Sequence, residues 1–216
     1  MKTGILFDLD GTLLDTLQDL TDSVNHTLAQ FGCPTRTQAE IRSYLGTGAR
    51  SLIRQALPGK ADDPDVDAVL AAYQDWYDTH NRLKTRPYEG ILEALAELQK
   101  DYPVAIVSNK PDRAVKPMCK EYFGEEIYAL GESADSPRKP APDMVFKGMA
   151  AIGVEKCVYV GDSEVDVLTA KNAGMPCLAV LWGFRDKDFL CDHGAEHLCR
   201  DPKDLAKTLK ELIENG

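Results

Sequence analysis

At 216 residues, 44% hydrophobic and 28% charged, the chain has room for one sizeable core and a small second domain, and its ordinary globular composition argues against disorder or a fibrous class. A formal net charge of -10 argues against a nucleic-acid backbone as partner, because such binders present basic patches. Acidity leaves room for a small phosphorylated metabolite, since a few well-placed cations and a bound metal can hold one phosphate.

The first apolar run, Gly4 to Phe7, is cut off by Asp8 too soon to be the core of a signal peptide. No stretch approaches the ~20 apolar residues that span a bilayer, so the sequence predicts a cytoplasmic protein with no membrane partner. Residues 5–7 read as a strand. Helical periodicity follows at 17–31, 38–45, 50–57 and 66–82 with no convincing strand, which predicts a four-helix insertion. Pro58-Gly59 and Asp62-Asp63-Pro64 punctuate it as turns, and Leu14-Asp15 and 84–87 are the expected hinges.

From Tyr88 onward short apolar runs alternate with amphipathic segments. Strands are expected at 104–107, 127–130, 158–160 and 178–181, with helices at 91–100, 113–122, 142–152, 164–173 and 205–213. The pattern is that of βαβ units. It predicts an α/β fold with a Rossmann-like parallel sheet core spanning 1–14 and 86–216, interrupted by a helical bundle at 15–85.

Six cysteines occur without a Cys-x-x-Cys pair, several in strand-like runs, and read as buried thiols in a reducing compartment. Cys191, His193, His197 and Cys199 offer ligand types that zinc prefers, but their segment reads better as a turn leading into a short strand.

Four segments fall where parallel strands should end, the edge at which open α/β sheets bind ligands: Asp8-Leu-Asp-Gly-Thr12, Ser108-Asn-Lys110, Lys139-Pro-Ala-Pro-Asp143 and Gly161-Asp-Ser-Glu-Val-Asp166. Asp8 and Asp10 lie too close to share an anionic substrate without a cation. Hard oxygen ligands from Asp8, Asp10 and Asp162 suit Mg2+. One carboxylate can attack phosphorus while the other handles the proton. Ser108 can hydrogen-bond phosphate oxygens, although an N-cap role would explain it in isolation. Lys139 offers a compact positive charge where a surface lysine is the ordinary alternative. Asp166, one helical turn beyond Asp162, either reaches the metal through water or orients Lys139 from behind.

In this order the segments resemble motifs I to IV of the haloacid dehalogenase superfamily, and the resemblance covers essentially the whole chain. The insertion resembles that family's C1 helical cap. The resemblance implies that Asp8 is the nucleophile, forming an aspartyl-phosphate, and that Asp10 protonates the leaving oxygen and then activates water. It implies Mg2+ held by the Asp8 side chain, the Asp10 carbonyl and Asp162, with Ser108 and Lys139 on the transferring phosphoryl group. Thr12 and Asn109 are expected to contact substrate.

Within the superfamily, dehalogenases and phosphonatases lack the second aspartate, so Asp10 points to phosphatases and phosphomutases. The stretch Asp10-Gly-Thr-Leu-Leu-Asp-Thr-Leu-Gln-Asp-Leu20 is similar to phosphoglycolate phosphatases, as is Tyr44-Leu-Gly-Thr-Gly-Ala-Arg-Ser-Leu52 in the cap. There Gly48 would help shape a loop toward the leaving group, and Arg50 would meet a substrate carboxylate, although an ordinary helix-helix turn accounts for this segment equally well.

The expected activity is hydrolysis of a small phosphate monoester, 2-phosphoglycolate first, by a monomer or homodimer. Pyrophosphate, sugar phosphates, nucleotides or a sugar phosphomutase reaction are the alternatives within the family. A receiver-type phospho-aspartate regulator shares the acidic cluster, hydroxyl and lysine, but lacks an inserted bundle.

Overall fold

The computed structural model describes residues 2–59 and 64–215, so the turn expected at Asp62-Asp63 lies outside the described residues. The chain opens with β1 (Thr3–Phe7) and reaches the short β2 (Leu14–Asp15). It then runs through α1 (Leu17–Gln30), α2 (Gln38–Tyr44), α3 (Ala49–Ala56) and α4 (Val66–His80) and returns at β3 (Arg86–Pro87). Strict alternation follows: α5 (Ile91–Leu98), β4 (Val104–Pro111), α6 (Asp112–Phe123), β5 (Tyr128–Glu132), α7 (Asp143–Ala151), β6 (Lys156–Gly161), α8 (Glu164–Ala173) and β7 (Cys177–Val180). The chain closes with α9 (Lys187–Asp192), β8 (His197–Cys199), a 3-10 turn at Pro202–Asp204 and α10 (Leu205–Asn215).

Six strands form a wholly parallel sheet in the order β5-β4-β1-β6-β7-β8. Successive side chains of a strand point to opposite faces. Ile5, Phe7, Ile106, Val158, Val160 and Leu178 therefore pack on one side with apolar residues of α5, α6 and α10. Leu6, Ala105, Val107 and Tyr159 pack on the other with Met144 and Val145 of α7 and Ala170 of α8. Burial on both faces explains why the strands read as continuous apolar runs.

The chain leaves β1 for β4 and β5 on one flank, then crosses to β6 on the other. β1 thus stands at the reversal of strand order, the position at whose carboxyl ends open α/β sheets bind ligands. The Rossmann-like α/β core expected from the sequence is the observed fold.

Backbone contacts divide the chain into two units, Met1–Leu14 with Pro87–Gly216, and Asp15–Arg86. In the helical unit, Leu20, Val24 and Leu28 form an i, i+4 stripe on α1, and Val69, Tyr73 and Tyr77 form another on α4. A reciprocal capping box between Thr37 and Glu40 starts α2, and the Asp65 carboxylate accepts from Ala68 N at the start of α4. Buried Asp19 accepts hydrogen bonds from the backbone N–H groups of Lys84 and Thr85, tying the returning segment to α1. Trp76 lies between the rings of His26 and His80, with centroids 3.4 and 3.6 Å away, so these three residues serve packing.

Three differences from expectation stand out. β2 and β3 pair where only hinges were expected, because two-residue strands carry no periodicity to read. α9 was not among the expected helices, although the turn at Gly194 and the short strand after it are found as β8 begins at His197. β4 runs on to Pro111, so Ser108, Asn109 and Lys110 belong to the strand itself. A register shift between Val107 and Pro111, where Pro111 aligns with Glu132, carries the strand past its apolar run.

Among the described residues no helix is long and apolar enough to cross a membrane. Ile5 is fully buried at the centre of the sheet. Ile5→Ala is expected to lower unfolding free energy by about 2–5 kcal/mol, read from urea denaturation with an unchanged slope.

Candidate active site

Asp8 follows β1 directly and remains in sheet register, its N–H donating to Val160 O at 2.8 Å. β6 lies beside β1 with Phe7 opposite Val160, so Asp162, just after β6, emerges next to Asp8. Gly11 then turns the chain with φ +84°. A β-carbon there would overlap the Asp162 carboxylate, so both conformation and space require glycine. Gly183 meets the same carboxylate from the loop after β7, where a β-carbon would overlap Asp162 and Gly11 O.

Lys139, on the loop before α7, is the centre of the cluster. Its Nζ lies 2.9 Å from Asp8 Oδ1 and donates to Asp166 Oδ1 at 2.8 Å and to the Tyr159 hydroxyl at 2.9 Å. The Tyr159 hydroxyl donates onward to Val107 O at 3.2 Å. The other oxygen of Asp166 accepts from Ser163 N at 3.1 Å and Ser163 Oγ at 2.6 Å. Asp166 is therefore held by its own helix cap and in turn aligns Lys139. Asn109 grips the same lysine by its backbone: its Nδ2 donates to Lys139 O at 3.0 Å and its Oδ1 accepts from Lys139 N at 2.8 Å.

Asp162 accepts from Phe184 N at 2.6 Å and from the Thr12 hydroxyl at 3.3 Å. Trp182 Nε1 donates to Thr12 O at 2.9 Å, fastening the loop after β1 to the segment after β7. Ser108 is buried, and its Oγ accepts from Lys110 N at 3.3 Å. Asp10 pairs with Lys110, whose Nζ donates to its two oxygens at 2.9 and 3.1 Å.

Asp8, Asp162, Asp166, Ser108 and Lys139, together with Thr12 and Asn109, thus belong to one connected region of the sheet unit. Thr12 and Asn109 are bonded to Asp162 and to the Lys139 backbone respectively. In the helical unit, Gly48 caps α3 with φ 89°, and the Arg50 guanidinium donates to both oxygens of Asp67 at 3.0 and 3.1 Å.

The Cys191, His193, His197 and Cys199 segment does not converge on a common point. His193 stacks on Phe189, Cys191 is exposed, and buried Cys199 contacts the Asp201 carbonyl. Among the described residues the group with metal-ligand spacing is Asp8, Asp162 and Asp166, with ligand atoms within 4.8 Å of one another.

The residues that sequence reasoning passed over are Lys110, Tyr159 and the Phe184 amide. Lys110 closes the Ser108-Asn109-Lys110 segment, and a lysine continuing a buried strand is a readable sign. Tyr159 looks like any strand aromatic, and a backbone N–H leaves no mark in a sequence.

Charge in the cluster is unbalanced: three buried carboxylates face one ammonium. Burial pushes the Asp8 carboxyl up to about 7, Lys139 opposes the rise, and Asp166 and Asp10 add to it. Burial likewise raises Asp162 well above the usual range, with Asp166 and Asp8 reinforcing it and the Phe184 amide opposing. For Lys139, burial works toward neutrality, but Asp166 and Asp8 outweigh it and hold the ammonium protonated.

Lys139 is ion-paired with Asp8 Oδ1, and among the described residues no donor is aligned for a well-formed hydrogen bond to that buried oxygen. An oxygen so placed, beside a second carboxylate and with charge to spare, fits a hard divalent cation.

A doubly wound sheet with carboxylates and lysines gathered at its carboxyl edge defines an α/β enzyme built to act on an anionic group. The haloacid dehalogenase-like hydrolase family model matches residues 5–180. A phosphoglycolate phosphatase 1 from Pseudomonas aeruginosa is 36% identical, covering 97% of this chain and 78% of that protein. A phosphoglycolate phosphatase from Mesorhizobium japonicum is 35% identical over 85% of this chain and 84% of its own length. A crystal structure of a putative phosphoglycolate phosphatase from Lactobacillus delbrueckii subsp. bulgaricus superposes with a TM-score of 0.87 at 36% identity, covering 97% of this chain and 99% of that one. The chain belongs to the haloacid dehalogenase-like hydrolases.

The raised Asp8 carboxyl sets a pH dependence whose sign is fixed. Its proton is held more tightly in the folded than the unfolded state, so the metal-free fold loses stability as pH rises from about 4 through about 7. A divalent cation requires the ionised form and displaces that proton. The rise in melting temperature on adding Mg2+ is therefore expected to be small near about pH 5.5 and larger near about pH 8, as read by calorimetry.

Proposed function

We propose that this protein hydrolyses a small phosphate monoester, 2-phosphoglycolate first among candidates, by way of a phosphorylated Asp8. The observation that carries the reading is the buried Asp8 carboxylate itself, ion-paired with Lys139 at the carboxyl end of β1, with no aligned donor on its Oδ1 among the described residues. The substrate preference draws support from the names of the relatives.

In this reading an Asp8 oxygen attacks phosphorus in line with the ester oxygen, and the P–O bond to the leaving group breaks as Asp10 delivers a proton to it. Asp10 then takes a proton from water, whose oxygen attacks the phosphorus of the acyl phosphate and returns Asp8 with inorganic phosphate. Ser108 and Lys139 hold the phosphoryl oxygens throughout. Asp166 and Tyr159 keep Lys139 aimed without touching the substrate, while Asn109 anchors the Lys139 backbone and, with Thr12, lines the substrate side.

Asp8, the Asp10 carbonyl and Asp162 would hold Mg2+, which when bound neutralises charge on the phosphoryl oxygens. Most of the catalysis in this scheme is positioning and charge stabilisation. The helical unit serves as the family's C1 cap, with Gly48 and Arg50 as its candidate specificity residues, and the protein works in the cytoplasm as a monomer or homodimer.

Phosphate release from phosphoglycolate, pyrophosphate, sugar phosphates and nucleotides, with Mg2+ and with chelator, tests the reading. A kcat/KM for phosphoglycolate at least about tenfold above the others is expected, with activity abolished by chelation. Asp8→Asn is expected to fold but to lose at least about a thousandfold in kcat; turnover close to wild type would remove the proposed nucleophile.

A further inference from the structure

Lys110 has no part in the scheme above, yet it is among the most deeply buried cations of the molecule, its side chain only 3% exposed. It is the last residue of the Ser108-Asn109-Lys110 segment, and the extension of β4 past its apolar run carries it to the sheet edge. Its ammonium meets both Asp10 oxygens, while the Asp10 side chain remains 19% exposed.

A buried ammonium must be compensated, and Asp10 is drawn to it. Asp10 itself lies outside the named helices and strands, in an isolated bridge with Leu14. Asp8 has Lys139 as its counter-ion; Asp10 has this second one, from a different strand.

We propose that Lys110 is a positioning residue that pins the Asp10 carboxylate where it can exchange a proton with the ester oxygen of the substrate. The inference rests on the reading of Asp10 as the proton-transfer group. It adds that the geometry of that group is set from behind by a lysine on β4.

The kinetic signature follows from the two steps. kcat/KM reports events up to departure of the leaving group, whereas kcat also includes hydrolysis of the phosphorylated Asp8. An alkoxide needs a proton in order to leave; p-nitrophenolate does not. A lysine that acts through Asp10 therefore affects kcat/KM selectively, by leaving group. A lysine that merely supports the fold would affect every substrate alike.

Lys110→Met keeps most of the side-chain volume and removes the charge. With Mg2+ present, its kcat/KM for phosphoglycolate, or for whichever alkyl phosphate the wild type prefers, is expected to fall about 100-fold. For p-nitrophenyl phosphate the fall should stay below about tenfold, which also shows that the variant is folded. Lys110→Arg, retaining a cation in reach of Asp10, should recover much of the alkyl phosphate loss.

A double-mutant cycle with Asp10→Asn provides the second readout: once Asp10 cannot transfer a proton, Lys110→Met should cost little more for the alkyl phosphate. Equal losses on both substrates, or additive losses in the cycle, would overturn the role of Lys110 while leaving the phosphatase reading intact. A wild type inactive on every monoester would instead overturn the phosphatase reading, and this inference with it.

Discussion

The site depends on one ammonium. Lys139 is buried where burial alone would strip its proton, and it stays charged because Asp8 and Asp166 surround it. Remove it, and three carboxylates would face one another in a poorly solvated edge with no cation among them. Its position is correspondingly over-determined. Asn109 fixes its backbone, Tyr159 and Asp166 fix its nitrogen, and Ser163 fixes Asp166. These residues come from four different stretches of chain, so the sheet must be assembled before the charge can be held.

The two lysines and their carboxylates divide the site. Lys139 pairs with Asp8, and Lys110 pairs with Asp10. Two aspartates separated by a single residue thereby have different surroundings. Asp8 is buried and pushed up to about 7, while Asp10 keeps part of its surface open. The difference arises from what each carboxylate meets, since β4 supplies one cation and the loop between β5 and α7 supplies the other.

Much of this architecture was readable before any coordinates. Alternating apolar runs located the strands of the core, and the long helical interval after Phe7 located the insertion. Three of the four chemical segments stood out because they interrupt an apolar strand end with polar groups; the remaining one, with Lys139, lies on the loop between β5 and α7. What could not be read was pairing across the sheet. That Lys110 meets Asp10, a hundred residues away in sequence, follows from β4 lying beside β1 and from a register shift that periodicity does not encode.

The Phe184 amide and the glycines at 11 and 183 escaped for a different reason. They shape Asp162 by a backbone group or by the lack of a side chain. Arg50 shows the reverse case: its charge was legible, but its Asp67 partner on another helix was not.

The chain contains two tryptophans, and they fall one to each unit. Trp76 is pressed between two imidazoles in the helical unit, whereas Trp182 is hydrogen-bonded through its indole nitrogen to Thr12 O in the sheet unit. The molecule therefore carries a native pair of optical probes in chemically distinct surroundings. With either indole replaced by phenylalanine, the emission that remains belongs to a single unit, and the cohesion of each can be followed separately without attaching a dye.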